Sequence, residues 1–384
     1  MNQPAPIVVI GTGLAGYHLV KELRKLAPEQ DIVMITADDG RSYSKPMLST
    51  GFGKNKSADE LAMATAADMA AQLNIVVRTN TQVTNIVPAE HKLYIGEEEL
   101  EYSKLVLALG ANVLTPQVEG DAQDRVFSIN DLQDYARFRE VADDNKRVII
   151  MGAGLIGCEY ANDMRAGGYE VDVVAPCDHL LPTLLPPAAA DALQSGLESI
   201  GVRFHLQAVI TKLTHENNGI KAELSNGNVV EADLAVSAIG LRPRLELATK
   251  AGLATGLGIK VNRQLETSES DIYAIGDCAE VEGRVLLFVL PLMASARALA
   301  KTLAGQPTEV SYGVMPVTVK TPVVPVVVSP PAPDSEGNWT AEVSEQDVQA
   351  EFRNQSGQLL GYALTGAKVV NKLTLNKELP AILP

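Results

Sequence analysis

Ile7-Val8-Val9-Ile10-Gly11-Thr12-Gly13-Leu14-Ala15-Gly16 is the stretch whose reading decides the fold. Four apolar residues in a row suit a strand buried on both faces, and the G-x-G-x-x-G spacing then predicts a helix over about Leu14–Leu26. In such a turn Gly11 permits the tight reversal, Gly13 lets the backbone approach a pyrophosphate, and Gly16 lets helix and strand pack closely. The first N–H groups of the helix, with its dipole, then face the phosphates. A glycine turn taken alone also fits plain punctuation between elements.

The pattern occurs twice. Val148-Ile149-Ile150-Met151-Gly152-Ala153-Gly154-Leu155-Ile156-Gly157 repeats the strand, the glycine spacing and the helix start. Two units imply two dinucleotides on one chain, a resident cofactor and a substrate that comes and goes. Each unit is expected to continue into a second strand, at 31–36 and at 169–174. Where an acid commonly holds a ribose hydroxyl, the first unit offers Thr36 or Asp38, and the second Ala175 with Asp178 close by. No arginine pair follows Ala175 to grip a 2′-phosphate, which tilts the visitor toward NADH without excluding NADPH.

The 384 residues allow two or three domains with sizeable cores, and 46% hydrophobic content is ordinary for a globular chain. The longest apolar run, 285–294, is too short to span a bilayer and contains Pro291. No basic segment followed by an apolar one opens the chain, so a cytoplasmic protein with no membrane partner is expected. A formal net charge of −15 argues against nucleic acid. An acidic partner would need a local basic patch, and 41–56, with Arg41, Lys45, Lys54 and Lys56 and no acid, is either that patch or a solvated loop. Cys158, Cys177 and Cys278 form no C-x-x-C pair and the five histidines are scattered, so neither a dithiol centre nor a metal site is expected.

Elsewhere a helix is predicted over 59–72 and strands at 75–78, 82–87, 92–95 and 105–109. Further strands fall within 202–237 around an Asn226-Gly227 hairpin turn, and 236–243 reads as a buried strand stopped by Gly240 and Pro243. The strand at 271–277 ends in Gly276-Asp277, whose carboxylate suits a sugar-alcohol hydroxyl or an ordinary turn. A helix from Pro291 to Leu303 follows, its positive end suited to a developing negative charge. From Met315 the chain turns β-rich (317–321, 323–328, 339–352, 359–364) before a helix at 366–375. The expected class is α/β: two Rossmann-like dinucleotide-binding domains plus a small C-terminal α+β domain. The expected division is 1–117 with 246–314, then 118–245, then 315–384.

In this order, Gly11 to Gly16, Ala108 to Ala111, Gly152 to Gly157 and Ile275-Gly276-Asp277 resemble the two-dinucleotide-binding flavoprotein reductases of the glutathione-reductase fold, over essentially the whole chain. The resemblance implies FAD on the first unit, NAD(P)H on the second, and Asp277 on the FAD ribityl chain. Ser42 to Ser49 is similar to the family's Y-x-[RK]-P-x-L-S segment, whose basic residue, here Lys45, reaches the flavin. The missing cysteine pair sets aside the disulfide reductases, and the lack of any cysteine near 42–49 sets aside those NADH oxidases and peroxidases that need one there. The segments 35–47 and 316–322 look like those of the rubredoxin reductases of hydrocarbon-degrading bacteria. That implies an oxidoreductase passing electrons from NADH through FAD to rubredoxin, feeding hydrocarbon hydroxylation; the short C-terminal domain and the absent disulfide chemistry favour a monomer. The alternatives are a ferredoxin reductase of an oxygenase and a non-catalytic FAD/NADH redox sensor.

By the same likeness FAD meets Gly11, Thr12, Gly13, Leu14, Ala15, Gly16, Thr36, Ala37, Asp38, Lys45, Val83, Ala108, Gly110, Glu159, Asp277, Val289 and Lys320. NADH meets Gly152, Gly154, Leu155, Ile156, Gly157, Asp178 and Gly240. At the reacting rings Glu159, Lys45 and Lys320 position and tune, with no covalent nucleophile. The plain alternatives are snorkelling lysines and a dipole-complementing acid. Three departures stand out. Ala108-Leu109-Gly110 lacks the usual threonine. Leu48-Ser49-Thr50 lacks a lysine that Lys320 would have to supply. Asn130 stands where arginine is common.

Overall fold

Strand Ile7–Ile10 is buried along its whole length because it lies at the centre of a five-stranded parallel sheet. The order is Ile272–Ala274, Lys104–Leu107, Ile7–Ile10, Ile32–Ile35, Val76–Arg78. The structure, a computed structural model, describes residues 5–384. Residues 1–4, the start of the first expected domain, lie outside the described residues.

Strand Arg147–Met151 holds the same central place in a second parallel sheet, ordered Val126–Ser128, Leu234–Ser237, Arg147–Met151, Glu170–Ala175, Val202–Leu206. Both glycine turns adopt one conformation. Gly11 and Gly152 have φ of +112° and +111°, a region that L side chains avoid. A Cβ on Gly16 would stand 2.0 Å from the Gly11 carbonyl oxygen, and one on Gly157 would stand 2.0 Å from that of Gly152. Only glycine lets each helix start this close to its strand. The helices run over Leu14–Leu26, as expected, and Leu155–Ala166.

Each parallel sheet carries an antiparallel insertion: Asn85–Val87, Lys92–Ile95 and Glu98–Glu101 on the first, and Ile210–Glu216, Gly219–Leu224 and Val229–Ala232 on the second. A two-stranded ribbon, Ala111–Val113 with Leu241–Pro243, carries the chain across and back. The expected strand 236–243 is therefore two. Leu234–Ser237 ends, and Gly240 at φ +128° redirects the chain into the ribbon.

The last sheet is wholly antiparallel, in the order Val317–Val319, Val326–Ser329, Leu359–Thr365, Asp347–Arg353, Asn338–Ser344. Its Val326, Val328, Val348 and Ala363 join a core shared with Ala189 and Leu193 of helix Pro187–Ser199. On the other face Val327, Tyr362 and Leu364 are covered by Leu375. The expected class, two dinucleotide-type units plus a smaller α+β unit, is the one observed.

Several elements differ locally. The helix expected over 59–72 is broken into Ala58–Leu61, a short strand Ala62–Ala64 and a helix Ala66–Leu73. Ser57 with Glu60 and Thr65 with Asp68 each form a capping box, so two helix starts replace one. Pro291 sits in the first turn of a helix that begins two residues earlier, Val289–Leu303. Residues 339–352 form a hairpin turning at Glu345, whose φ is +53°. Among the described residues no helix is long and apolar enough to cross a membrane.

The turn geometry makes a stability prediction. Gly157→Ala drives its Cβ into backbone and is expected to cost about 2–3 kcal/mol. Gly154→Ala, whose Cβ would meet nothing within 4 Å, is expected to leave the denaturation midpoint unchanged. Equal midpoints for the two variants in urea would contradict this.

Candidate active site

The two glycine turns open at the carboxyl ends of their sheets, and a buried polar contact joins what lies between them. Glu159, one turn into helix Leu155–Ala166, is 1% exposed. Its Oε2 accepts from the Ser49 hydroxyl at 2.6 Å and is ion-paired with the Lys320 ammonium, while its Oε1 accepts the Lys320 backbone N–H at 3.0 Å. Lys320 Nζ also donates to Ser49 Oγ at 2.8 Å. Ser49 lies in the 3-10 segment Lys45–Thr50, beyond the second strand of the first sheet, and Lys320 directly follows strand Val317–Val319 of the last sheet. One carboxylate thus ties all three parts of the chain.

One turn further along the same helix face, Asp163 accepts the backbone N–H groups of Phe52 at 2.8 Å and Gly53 at 3.1 Å. The segment 45–53 is therefore pinned by two buried carboxylates of the second unit. Asp163 was not legible as a site residue, since nothing local marks a helix acid as facing another domain.

Lys45 and Asp277 form a second cluster. Lys45 Nζ donates to Asn130 Oδ1 at 2.8 Å and stands 4.0 Å from Asp277 Oδ2. Asn130 is itself fixed, its amide donating to the Ala111 carbonyl at 3.0 Å and its N–H to Asp134. Burial pushes the Lys45 ammonium below its ordinary range, opposed by Asp277. Burial likewise pushes the Asp277 carboxyl up, opposed by Lys45.

The remaining expected residues fall as follows. Thr12, Thr36, Val83 and Ala108 are buried around the first turn, Val289 is half-buried, and Ala37 is exposed. Asp38 Oδ1 accepts from Thr36 Oγ1 at 2.7 Å, Thr12 Oγ1 at 3.3 Å and Gly40 N–H at 2.9 Å, so it braces the strand end as well as lying near it. Asp178 is exposed and bonded to His179 Nδ1 at 2.6 Å. Leu155 and Ile156 open the second helix, and Gly240 flanks its turn across the strand Leu234–Ser237. A Cβ on Gly13, Gly110 or Gly154 would meet nothing within 4 Å. Such open space before each helix N-terminus is what a pyrophosphate requires.

Cys158 and Cys278 are fully buried, their thiols pushed up by burial (Cys278 to about 11), so both are small core residues without thiolate character. Lys320 does not snorkel, because its ammonium is engaged by Ser49 and Glu159. A cleft of about 640 Å³ follows the crossover ribbon beside Asn112, Arg242 and Lys250, and its lining includes neither glycine turn.

Two tests follow. Lys320→Met strands a buried carboxylate and is expected to cost roughly 3 kcal/mol, most of it recovered when Glu159→Gln is added; additive losses in the double variant would deny the coupling. For Asp277 the folded carboxyl has a raised pKa, so its ionised form costs stability above the unfolded value and the cost vanishes below it. Asp277→Asn is therefore expected to stabilise the ligand-free chain at pH 7 and to lose that advantage near pH 4, as urea denaturation across pH would read.

The comparisons with known proteins agree with this geometry. A family model described as pyridine nucleotide-disulphide oxidoreductase matches residues 5–300, and one described as a rubredoxin binding C-terminal domain matches residues 309–379. The rubredoxin-NAD(+) reductase of Alcanivorax borkumensis is 57% identical over 99% of this chain and 100% of that protein. That of Acinetobacter baylyi is 44% identical over 99% of each. The crystal structure of the ferredoxin reductase for the CYP199A2 system from Rhodopseudomonas palustris superposes with a TM-score of 0.87, covering 98% of this chain and 95% of that one at 26% identity. Matched over most of its length by the family model, and end to end by these relatives, the chain belongs to the pyridine nucleotide-disulphide oxidoreductase family, in its rubredoxin-NAD(+) reductase branch.

Proposed function

We propose that this chain oxidises NADH and reduces rubredoxin by way of a resident FAD. The observation that carries the reading is the duplicated glycine turn, two copies with one backbone conformation at the centre of two like-ordered sheets, bridged by Glu159, Ser49 and Lys320. FAD, when bound, supplies the conversion between two-electron and one-electron chemistry that no side chain here provides.

The residues present fit that cofactor. The first turn leaves open space at Gly13 for a pyrophosphate, Thr36 and Asp38 close the ribose end, and Asp277 presents an acceptor suited to a polyol chain. Lys45 and Lys320 would supply positive charge near the flavin when it is bound, which would favour its electron-rich state. Glu159 acts as a positioning residue, holding Lys320 and the 45–50 segment at the gap between the turns. On the second unit the open space at Gly154 receives the nicotinamide nucleotide, and 176–182 carries no Arg or Lys to meet a 2′-phosphate, which supports NADH over NADPH.

The rubredoxin-binding match over 309–379 supports rubredoxin as acceptor. We assign 1–117 with 246–314 to FAD, 118–245 to NADH and 315–384 to the acceptor side. We further place the chain upstream of a hydrocarbon hydroxylase, as a cytoplasmic monomer whose three free cysteines suit a reducing compartment.

The reading is tested by anaerobic mixing. NADH is expected to bleach the bound flavin, and oxidised rubredoxin to restore its colour, whereas a [2Fe–2S] ferredoxin does so poorly. Restoration by ferredoxin alone would reassign the acceptor, and failure to bleach would leave a sensor. Gly13→Ala is expected to yield colourless protein, while Gly154→Ala keeps its flavin and needs roughly tenfold more NADH, a loss of about 1.4 kcal/mol in binding.

A further inference from the structure

We propose that rubredoxin lands, through an acidic face of its own, on the outer face of the helical segment formed by Gly366–Asn371 and Lys372–Leu375, an assignment that rests on the rubredoxin reading above. From Gly366 to Lys377 there are three lysines, Lys368, Lys372 and Lys377, and no acid, in a chain of formal charge −15. Lys372 and Lys377 are exposed, and among the described residues neither has an ion-pair partner within 4 Å; Lys368 alone reaches Glu342, at 3.5 Å.

The same face is apolar at its centre. Val370 is 75% and Leu373 67% exposed, and with exposed Ala367 they recur every third residue, the spacing that aligns side chains along a 3-10 turn. They cannot turn inward, because the opposite side of the segment is already committed. Leu375 is buried on Val327, Tyr362 and Leu364, with Val369 packed beside them. An apolar centre rimmed by cations is the anatomy of a transient interface with an acidic protein.

The start of the segment is fixed by the sheet. Strand Leu359–Thr365 pairs with Val326–Ser329 so that Thr365 opposes Val326, which in turn opposes Val319. Gly366 N–H donates to the Pro325 carbonyl at 2.9 Å. The segment therefore begins at the sheet end that carries Lys320, two strands away, or roughly 10 Å.

The other basic stretch, 41–56, is a weaker landing site. Arg41 is spent on Asp39 and Asp59, both at 2.8 Å, and Lys45 points to Asn130.

The test compares Lys372→Glu/Lys377→Glu, Val370→Ser/Leu373→Ser and Lys54→Glu in the holoenzyme. The first two are expected to weaken rubredoxin binding at least tenfold, and the charge variant to flatten the salt dependence of its rate. NADH bleaching of the flavin and the thermal midpoint should stay as in the parent. An unchanged rubredoxin Kd in both, or a loss confined to Lys54→Glu, would overturn this face. A parent protein that dimerises, and becomes monomeric with Val370→Ser/Leu373→Ser, would give the face to a second copy and overturn it as well. A parent that bleaches with NADH yet never reduces rubredoxin would instead overturn the functional reading.

Discussion

A carboxylate removed from water must be matched by partners, and the partners of Glu159 come from every part of this chain. The helix that carries it belongs to the second parallel sheet, Ser49 to the segment beyond the second strand of the first sheet, and Lys320 to the C-terminal sheet. Separating the C-terminal sheet from the second unit would leave a buried charge unpaired, which costs more than the pair itself contributes when intact, and separating the first unit would strip the pair of its Ser49 hydrogen bonds. The contact therefore sets the arrangement of the parts more than it adds to stability. Asp163, one turn further on, repeats the device with backbone N–H groups and needs no second charge.

Within that arrangement the two glycine turns perform the same steric task twice. In each, a positive φ and a helix packed within contact distance of its own turn leave the next backbone N–H groups facing open space. The parallel sheets place both turns at strand carboxyl ends, the location at which α/β folds bind nucleotides. The polar junction begins one turn into the helix that follows the second of them, at Glu159.

Lys45 and Asp277 are held in a state that the ligand-free chain does not favour. Burial works against both charges while 4.0 Å separates them, and Asn130 fixes the lysine without adding a charge of its own. Perturbed groups of this kind gather where a protein gives up stability for function. The C-terminal sheet shows a related division of labour: one face is core against helix Pro187–Ser199, and the other is closed by a segment that keeps apolar and basic side chains in solvent.

The sequence alone determined what short-range sterics and periodicity dictate. Two glycine turns, the buried strands before them and the helices after them were all legible, because G-x-G-x-x-G admits few backbone paths and Gly11 and Gly152 have no tolerated substitute. The likeness of 42–49 and 316–322 to one branch of flavoprotein reductases picked out Lys45 and Lys320, though nothing local told an inward lysine from a snorkelling one. Local capping overrode pattern at 59–72, where two boxes outweigh a continuous apolar rhythm. Only the tertiary structure decided that Ser49, Glu159 and Lys320 share one contact, since they lie 110 and 161 residues apart. Likewise only packing showed that Asn130 anchors Lys45, that Arg41 is neutralised by its neighbours, and that Val370 and Leu373 face water. Such facts depend on which buried groups find partners across the chain, and no window of sequence contains both halves of the pair.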